Sequence, residues 1–250
     1  MFSNLTLCTC SYNTPMITLT MIRSWFKRHS WSTPFVIIDN STNEDTSELL
    51  KGQGIPFTRN PGGLHDLTVD SALDQVKTRY ALLVDTDVVF LKDHGSILQD
   101  MIDSGATLKG EVCGSRGMLG LYNRVHPWHC FIDMDKLRSK NIRFHCPERS
   151  LKKINEVIYD VGASMYEDVI KTGLTVDDWK GDPDYYHHYE GMSWRTAGYN
   201  VGGVPAGQSI SNNNCHADEE LYKWGLRVAK EYFEESNEPK KYADVPIYVH

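Results

Sequence analysis

Apolar and amphipathic stretches alternate along the first hundred residues of the chain. Short, nearly continuous apolar runs are typical of strands that are buried on both faces. Apolar positions three or four residues apart are typical of helices. Strands are predicted at residues 4–10, 34–40, 55–60 and 81–85. Helices are predicted after Thr14-Pro15 and at residues 46–51 and 64–77. This alternation indicates βαβ units, and therefore an α/β fold with a largely parallel sheet covered on both faces.

The second half of the chain is less regular. Helices are predicted at residues 96–103, 160–171 and 217–235, and a strand is predicted at residues 129–134. Gly173 follows the second of these helices and is typical of a helix end, because glycine adopts a positive φ at little cost.

Polar residues lie at the carboxyl ends of four of the predicted strands. They are Ser11-Tyr12-Asn13, Asp39-Asn40, Asn60-Pro61-Gly62-Gly63 and Asp85-Thr86-Asp87. Because ligands of open parallel sheets bind at the carboxyl ends of the strands, these four clusters are expected to converge on one site.

Asp85 and Asp87 stand between two apolar runs, residues 81–84 and 88–90. An unpaired buried charge is costly, so a positive group is expected nearby. Carboxylate oxygens suit Mg²⁺ or Mn²⁺, which commonly bind through one or two carboxylates together with substrate phosphates. In the alternative interpretation Asp85 caps the following turn and Asp87 is solvated.

Composition narrows the classes of function. The formal net charge of -7 and the lack of a basic run argue against a non-specific binder of nucleic acid. The N-terminus lacks the basic and apolar regions of a signal peptide. No apolar stretch approaches the roughly 20 residues that span a bilayer. A cytoplasmic protein with reduced cysteines is expected. The pairs His129-Cys130, His145-Cys146 and Cys215-His216 leave structural zinc as an alternative, although the chain has no CxxC pair.

The strands and the polar clusters after them resemble a known family. The stretches "TLCTCSYN", "VIIDNSTNEDT", "RNPGG" and "YALLVDTDVVF" occur in the order and spacing of glycosyltransferases with the GT-A fold. They are most similar to the family-2-like members, which use nucleotide-diphosphate sugars. The resemblance covers about residues 4–95 and continues more loosely through "RVHPWHCFIDMDKL", "YDVGASMYEDVIKTG" and "HHYEGMSW". It implies one Rossmann-like GT-A domain over residues 1–250. Residues 1–95 would bind the nucleotide sugar, and residues 96–250 would bind the acceptor and carry the catalytic group.

The resemblance also implies a donor site at the strand ends. Asp39 would accept a hydrogen bond from the nucleobase, which is most often uracil in such enzymes. Asp85 would hold ribose or sugar hydroxyls. The residues expected to contact the donor are Thr9, Ser11, Tyr12, Asp39, Asn60, Gly63, Asp85, Thr86 and Asp87.

A metal site is implied next to the donor. Asp87 would bind Mn²⁺ or Mg²⁺, which neutralises the charge that develops on the departing diphosphate. Many members of the fold add a late histidine in a His-x-x-Gly setting, and His188 has this spacing to Gly191. His187 is a competing choice, and both histidines could instead lie at the surface.

The catalytic base is implied by position. Inverting enzymes of this fold place a carboxylate at a helix N-terminus that faces the acceptor hydroxyl, and Asp160 stands where that carboxylate is expected. Glu167 and Asp168 are alternatives within the same predicted helix. Asp160 could instead be only a helix cap, a position that aspartate favours. A retaining enzyme would need no such base.

The segment "SRGMLGLYNRVHPWHC", residues 115–130, is interpreted as a loop on the acceptor side. Its glycines allow flexibility, and its aromatic side chains can stack on a sugar or another planar group. Tyr122, His126, Trp128 and, later in the chain, Trp194 are the candidate acceptor contacts. Burial in the core is the alternative for each of them.

We therefore expect a metal-dependent glycosyltransferase that moves a sugar from a nucleotide-diphosphate sugar, in the first place a UDP-sugar, to an acceptor hydroxyl. The C-terminal segment has mixed charge and no membrane face, which favours a soluble acceptor. That acceptor could be a saccharide, a protein, a small molecule or a modified nucleic-acid base. A sugar-nucleotide nucleotidyltransferase is disfavoured, because the loop after the first strand is "CSYNTP" and not glycine-rich. A non-catalytic sugar-binding domain is the other alternative.

Overall fold

The structure is a computed structural model that describes residues 2–29, 33–113 and 121–188. Strands and helices alternate through most of this part of the chain. The strands are β1 (Leu5–Ser11), β2 (Phe35–Asp39), β3 (Thr58–Arg59), β4 (Tyr80–Asp85), β5 (Val88–Phe90), β6 (Leu108–Cys113), β7 (Arg124–Asp133), β8 (Lys152–Ile154), β9 (Val157–Tyr159), β10 (Val176–Asp178) and β11 (Tyr186–His188). The α-helices are α1 (Pro15–Arg28), α2 (Asp45–Gly52), α3 (His65–Gln75), α4 (Gly95–Ser104), α5 (Met134–Ser139) and α6 (Ala163–Lys171).

Seven of these strands form one twisted sheet in the order β10-β6-β7-β4-β1-β2-β3. The pairs β1–β2, β1–β4, β2–β3 and β6–β10 are parallel. Strand β7 runs antiparallel to both of its neighbours, β4 and β6. The predicted α/β architecture with a largely parallel sheet is confirmed. Because β4 and β7 pair directly, strands from before and after residue 95 share one sheet, and the proposed division at that residue stays a prediction.

Helix α1 covers one face of the sheet through the apolar positions that its sequence spacing predicts. All six of those side chains are buried; they are Ile17, Leu19, Met21, Ile22, Trp25 and Phe26. Side chains of β1 alternate between the two faces, so Leu7 packs toward α1 while Cys8 packs with Val69 of α3. Full burial of each large apolar side chain contributes about 1.5–3 kcal/mol.

Strand β7 corrects the prediction of a loop at residues 115–130. Residues 124–130 belong to a central strand between β4 and β6. The strand is hard to recognise in the sequence, because a proline such as Pro127 argues against a central strand. The structure accommodates Pro127 in an irregular stretch where the register shifts: Gly110 pairs with Cys130, but Val112 pairs with Val125.

The close approach of β6 and β7 at this irregularity requires glycine. A Cβ atom on Gly110 would lie 2.8 Å from the carbonyl oxygen of His129 and 2.8 Å from Cγ1 of Val125. Two steps along β6 are matched by five along β7, so β7 carries additional residues in the manner of an extended β-bulge. Trp128 lies within these additional residues.

Other boundaries also differ from the sequence prediction. Helix α6 begins at Ala163 and not at Asp160, because a turn with Gly162 at a φ of 82° precedes it. The third predicted strand is reduced to Thr58–Arg59. The helix predicted at residues 217–235 lies outside the described residues.

Two histidines are buried between α1 and the start of α4. The His29 ring stacks on Trp25 at a centroid distance of 3.6 Å, and its Nε2 accepts the backbone N–H of His94 at 2.9 Å. Burial lowers the pKa of His29 to about 4. Burial, and secondarily the charge of His29, lowers the pKa of His94 to about 3. Both rings are therefore neutral in the folded protein at neutral pH.

The free energy of unfolding should fall as the pH drops below about 6.5. An exposed histidine in the unfolded chain takes up a proton near pH 6.5, whereas His29 and His94 stay neutral in the folded state until the pH is near 4 or lower. Each ring should therefore lower the free energy of unfolding by about 1.4 kcal/mol for each pH unit between pH 6.5 and 4. Urea unfolding at pH 7.5 and 5.5 measures the difference.

The His94→Asn variant is the control for this pH dependence. Asparagine can donate to the carbonyl oxygen of Lys92 as Nδ1 of His94 does, but it does not titrate. The slope of its unfolding free energy against pH should be smaller than that of the wild type by about 1.4 kcal/mol per pH unit, which corresponds to one proton. Equal unfolding free energies at the two pH values in the wild type would contradict the assignment of neutral buried rings.

Candidate active site

The turn between β4 and β5 carries the Asp-x-Asp motif at the carboxyl edge of the sheet. Strand β4 ends at Asp85, and β5 begins directly after Asp87. Strand β11 pairs antiparallel with β5 and sets His188 opposite Val88. This pairing brings His188 next to the motif, with Nε2 of His188 3.5 Å from Oδ1 of Asp87. A short strand late in the chain thus completes the cluster.

Asp85, Asp87 and His188 can each point one ligand atom at a common centre. These three atoms lie within 4.8 Å of one another. Two carboxylate oxygens and an imidazole nitrogen form a donor set that suits Mn²⁺ and related divalent ions. Within residues 2–29, 33–113 and 121–188 this is the one such group of three, and no cysteine there belongs to another. The zinc alternative at Cys215-His216 lies outside the described residues.

The electrostatics of the motif also fit a cation. Asp87 is buried and Asp85 is partly buried. Burial, and then the negative charge of Asp87, raises the pKa of Asp85, while His65, His188 and Arg124 oppose the shift. A divalent cation between the two carboxylates would offset both their desolvation and their repulsion.

A network of hydroxyl groups connects this turn with the end of β1 and the start of α1. Ser11 Oγ lies 2.7 Å from Thr18 Oγ1, and Thr14 Oγ1 lies 3.3 Å from Thr86 Oγ1. All four side chains are buried. Thr9 is also fully buried in β1. Ser11 and Thr86, which were predicted to contact the donor, both take part in this network. Tyr12, one residue beyond β1, is partly exposed.

Asp39 sits at the end of β2 in a dense polar network. Its Oδ1 accepts the backbone N–H of Ser41 at 3.0 Å, and its Oδ2 accepts from the Ser47 hydroxyl. Arg59 of β3 forms an ion pair with the same carboxylate at 3.0 Å. Arg59 also donates to the carbonyl oxygens of Ser41 and Asn43, both at 2.7 Å. Asp39 therefore holds the loop after β2 in place, and sequence reasoning missed its partner Arg59.

The glycine turn is held to the end of β2 by one side chain. Nδ2 of Asn40 donates to the Gly63 carbonyl at 2.9 Å, and its Oδ1 accepts the Gly63 N–H at 2.8 Å. A Cβ atom on Gly63 would lie 3.2 Å from Asn60 Nδ2, so the turn leaves little room there. Asn60 and Gly63 thus lie at the same edge as Asp39, as the sequence predicts.

Asp160 forms an ion pair with an almost buried arginine. Its Oδ2 lies 2.7 Å from Nη1 of Arg124, and its Oδ1 accepts the N–H of Val161 at 2.8 Å. Arg124 is the first residue of β7, which explains why the loop interpretation overlooked it. The alternative carboxylates, Glu167 and Asp168, both pair with Arg149, at 2.8 and 2.6 Å.

The aromatic acceptor candidates have different surroundings. Tyr122 stacks on Tyr159 at 4.6 Å between ring centroids. Trp128 stacks on His188 at 4.2 Å. His126, also on β7, is partly buried, and burial lowers its pKa to about 3. Trp194 lies outside the described residues, as does the side chain of His187.

Several solved structures of glycosyltransferases share this architecture, and the chain has their GT-A fold. The mannosyltransferase PcManGT from Pyrobaculum calidifontis, in complex with GDP-Man and Mn²⁺, is 11% identical over 92% of this chain and 74% of its own, with a TM-score of 0.55. The galactosyltransferase LgtC, in complex with donor and acceptor sugar analogs, is 13% identical over 90% and 95%, with a TM-score of 0.54. TarS 1-349 of S. aureus with UDP-GlcNAc is 15% identical over 96% and 69%, with a TM-score of 0.51.

The comparisons show the fold at low sequence identity. In two further TarS structures the chain spans 30% and 62% of the length of the other chain. The sequence matches no protein-family profile and no curated protein. No helix within residues 2–29, 33–113 and 121–188 has the length and apolar character needed to cross a membrane.

Replacing Arg59 by methionine should destabilise the fold. The buried carboxylate of Asp39 would keep its hydrogen bonds from Ser41 and Ser47 but lose the ion pair with the guanidinium group. The free energy of unfolding should fall by about 1–3 kcal/mol. Arg59 is only 22% exposed, so solvent screens the pair weakly. Urea unfolding measures the change, and Arg28→Met on the exposed side of α1 is the matched control. Equal losses for the two variants would show that the Arg59–Asp39 pair is unimportant for stability.

Proposed function

We propose that this chain is a glycosyltransferase that moves a sugar from a nucleoside-diphosphate sugar to an acceptor hydroxyl with the help of Mn²⁺ or Mg²⁺. The observation that carries the proposal is the cluster of Asp85, Asp87 and His188 at the carboxyl edge of the parallel strands. The GT-A fold supports it, because ligands of open α/β sheets bind at this edge.

The donor would lie over the ends of β1, β2 and β4. Asp87 and His188 would hold the metal ion, and Asp85 would accept hydrogen bonds from ribose or sugar hydroxyls. When bound, the ion supplies positive charge for the diphosphate leaving group. Tyr12, Asn60 and Gly63 would contact the nucleotide, and Asp39 would accept a hydrogen bond from the nucleobase. Thr9, Ser11 and Thr86 would complete the donor site at the strand ends, where their side chains are buried.

We propose uracil as the base of the donor, as the sequence resemblance implies. A mannosyltransferase with the same fold binds GDP-Man, and TarS binds UDP-GlcNAc. Both nucleotides therefore belong in the test. Release of nucleoside diphosphate from a panel of UDP- and GDP-sugars, with Mn²⁺ and with EDTA, tests the proposal directly. A non-catalytic binder would release none. A nucleotidyltransferase would need added pyrophosphate, and would convert it and the donor into a nucleoside triphosphate and a sugar 1-phosphate.

Transfer would follow an inverting displacement with Asp160 as the base. The acceptor oxygen forms a bond to the anomeric carbon, the bond from that carbon to the diphosphate oxygen breaks, and Asp160 takes the hydroxyl proton. Arg124 would keep the carboxylate in one orientation through the 2.7 Å contact. Tyr122, His126, Trp128 and Trp194 are proposed for the acceptor side. The acceptor would be soluble: a saccharide, a protein, a small molecule or a modified nucleic-acid base. A cytoplasmic location stays a prediction.

Asp87→Asn should reduce nucleoside-diphosphate release by at least about 100-fold, because a neutral amide is a poor ligand for a hard cation. Asp100→Asn, on the exposed side of α4, is the matched control and should retain activity. Thermal unfolding should confirm that both variants fold. Full activity of the wild type in EDTA would contradict metal dependence.

Asp160→Asn should lower kcat by about 10² to 10⁴, the usual contribution of a general base. Asparagine keeps an oxygen for the Val161 N–H but loses the ion pair with Arg124, so thermal unfolding must show that the variant is folded at the assay temperature. Asp100→Asn, on the exposed side of α4, is again the control. The measurement is turnover with an acceptor found by mass spectrometry, together with the configuration of the product. Near-normal turnover, or a product that keeps the anomeric configuration of the donor, would argue against this role.

A further inference from the structure

We propose that Trp128 is a positioning residue that holds the His188 imidazole in the orientation needed to bind a metal ion. This inference rests on the proposed metal site and assigns to Trp128 a role in addition to the acceptor contact proposed above. The observation that carries it is the near-parallel stack of the two rings, with centroids 4.2 Å apart and planes 10° apart.

His188 needs external support because its own element is small. Strand β11 has three residues and pairs only with β5, itself three residues long, among the described residues. Two-stranded pairs of this size are marginally stable without further packing. The imidazole can rotate about two side-chain torsions unless a neighbour restricts it. A flat surface against the ring removes much of that freedom.

Trp128 is anchored well enough to provide this surface. It lies on β7, the antiparallel strand between β4 and β6. The last residue pair of β4 and β7 is Val84 with His129, so Trp128 is the next residue of β7, at the level where β4 ends at Asp85. Its ring meets Tyr186 of β11 edge-on at 5.4 Å between centroids and packs against the main core.

The stack also changes how the indole can be used. One face of the ring lies against His188, and the edge contact with Tyr186 occupies a further part of its surface. A sugar that stacked on the covered face would have to displace the imidazole from the cluster with Asp87. The geometry therefore favours a structural link from β7 to the metal site over direct contact of this face with an acceptor.

Loss of the stack should weaken metal binding without removing a ligand. Groups that orient a metal ligand commonly change affinity by about 10- to 100-fold when they are removed. We expect the lower figure here, because the energy of a stacked aromatic pair corresponds to a change in affinity of at most about tenfold. Trp128→Ala should raise the Kd for Mn²⁺ about tenfold, and Trp128→Phe, which keeps an aromatic face, should restore most of the affinity.

The test measures binding of Mn²⁺ to the full chain from the free-ion signal in electron paramagnetic resonance, with Mn²⁺ alone and with Mn²⁺ plus UDP. The variants are Trp128→Ala, Trp128→Phe, His188→Ala and the double variant. If Trp128 acts through His188, then Trp128→Ala should have no further effect in the His188→Ala background. In the release assay, Trp128→Ala should need more Mn²⁺ than the wild type to reach half of its own maximal rate.

Trp179→Ala is the matched control. This tryptophan contacts His129 and Tyr186, at 5.1 and 5.8 Å between centroids, so its removal disturbs the same aromatic cluster. Its Kd for Mn²⁺ should stay within about twofold of wild type, which is well below the change expected at Trp128. Thermal unfolding monitors the fold of every variant. If Trp128→Ala does not fold, the comparison of Trp128→Leu with Trp128→Phe carries the same test.

Two results would overturn the inference while leaving the metal site intact. The first is wild-type Mn²⁺ affinity in Trp128→Ala. The second is an equal loss from Trp128→Ala in the presence and absence of the His188 side chain, which would show that Trp128 acts independently. If the wild type binds Mn²⁺ no better than Asp87→Asn does, the proposed metal site is wrong and this inference falls with it.

Discussion

Asp85 and Asp87 lie one residue apart at the end of a strand that is buried up to Val84, and the cost of placing two carboxylates there constrains the surrounding structure. Burial and mutual repulsion both disfavour the charged pair. The protein surrounds the pair with groups of opposite or neutral character. His188 reaches Asp87 from β11, and Arg124 acts on Asp85 from β7. A divalent cation in the same place would remove the remaining imbalance.

Hydrogen bonds and ion pairs at the edge of the sheet hold the polar groups there in defined conformations. Hydroxyl groups of Ser11, Thr14 and Thr18 tie the first strand to α1, and Thr86 joins them from the acidic turn. Arg59 binds the loop after β2 to Asp39, and the Asn40 side chain forms hydrogen bonds with the backbone of Gly63. Polar groups fixed in this way need little reordering when a charged ligand arrives, which favours tight and specific binding.

The sequence was sufficient for the parts of the fold in which local pattern and tertiary packing agree. Helix α1 is identified by the spacing of residues such as Ile17 and Trp25, and β4 by its apolar run, because both elements are buried in a regular way. The Asp-x-Asp turn and His188 meet in the structure as the resemblance implies. Strand β7 was misread because Pro127 and its polar neighbours contradict the usual strand pattern. The contacts of Trp128 could not be predicted, since they depend on a register shift that only the paired strands define.

That irregular register means that chain length, and not only residue identity, shapes the site. Gly110 to Val112 of β6 faces Val125 to Cys130 of β7, and the additional residues allow both Trp128 and His129 to meet Tyr186. A deletion in this stretch would let the two strands pair continuously and would turn the indole away from His188. Homologous chains that keep the acidic motif but shorten this segment would have to orient their metal-binding histidine by another route. Alignment gaps at this point would therefore mark a change in how the site is built, even where each ligand residue is retained.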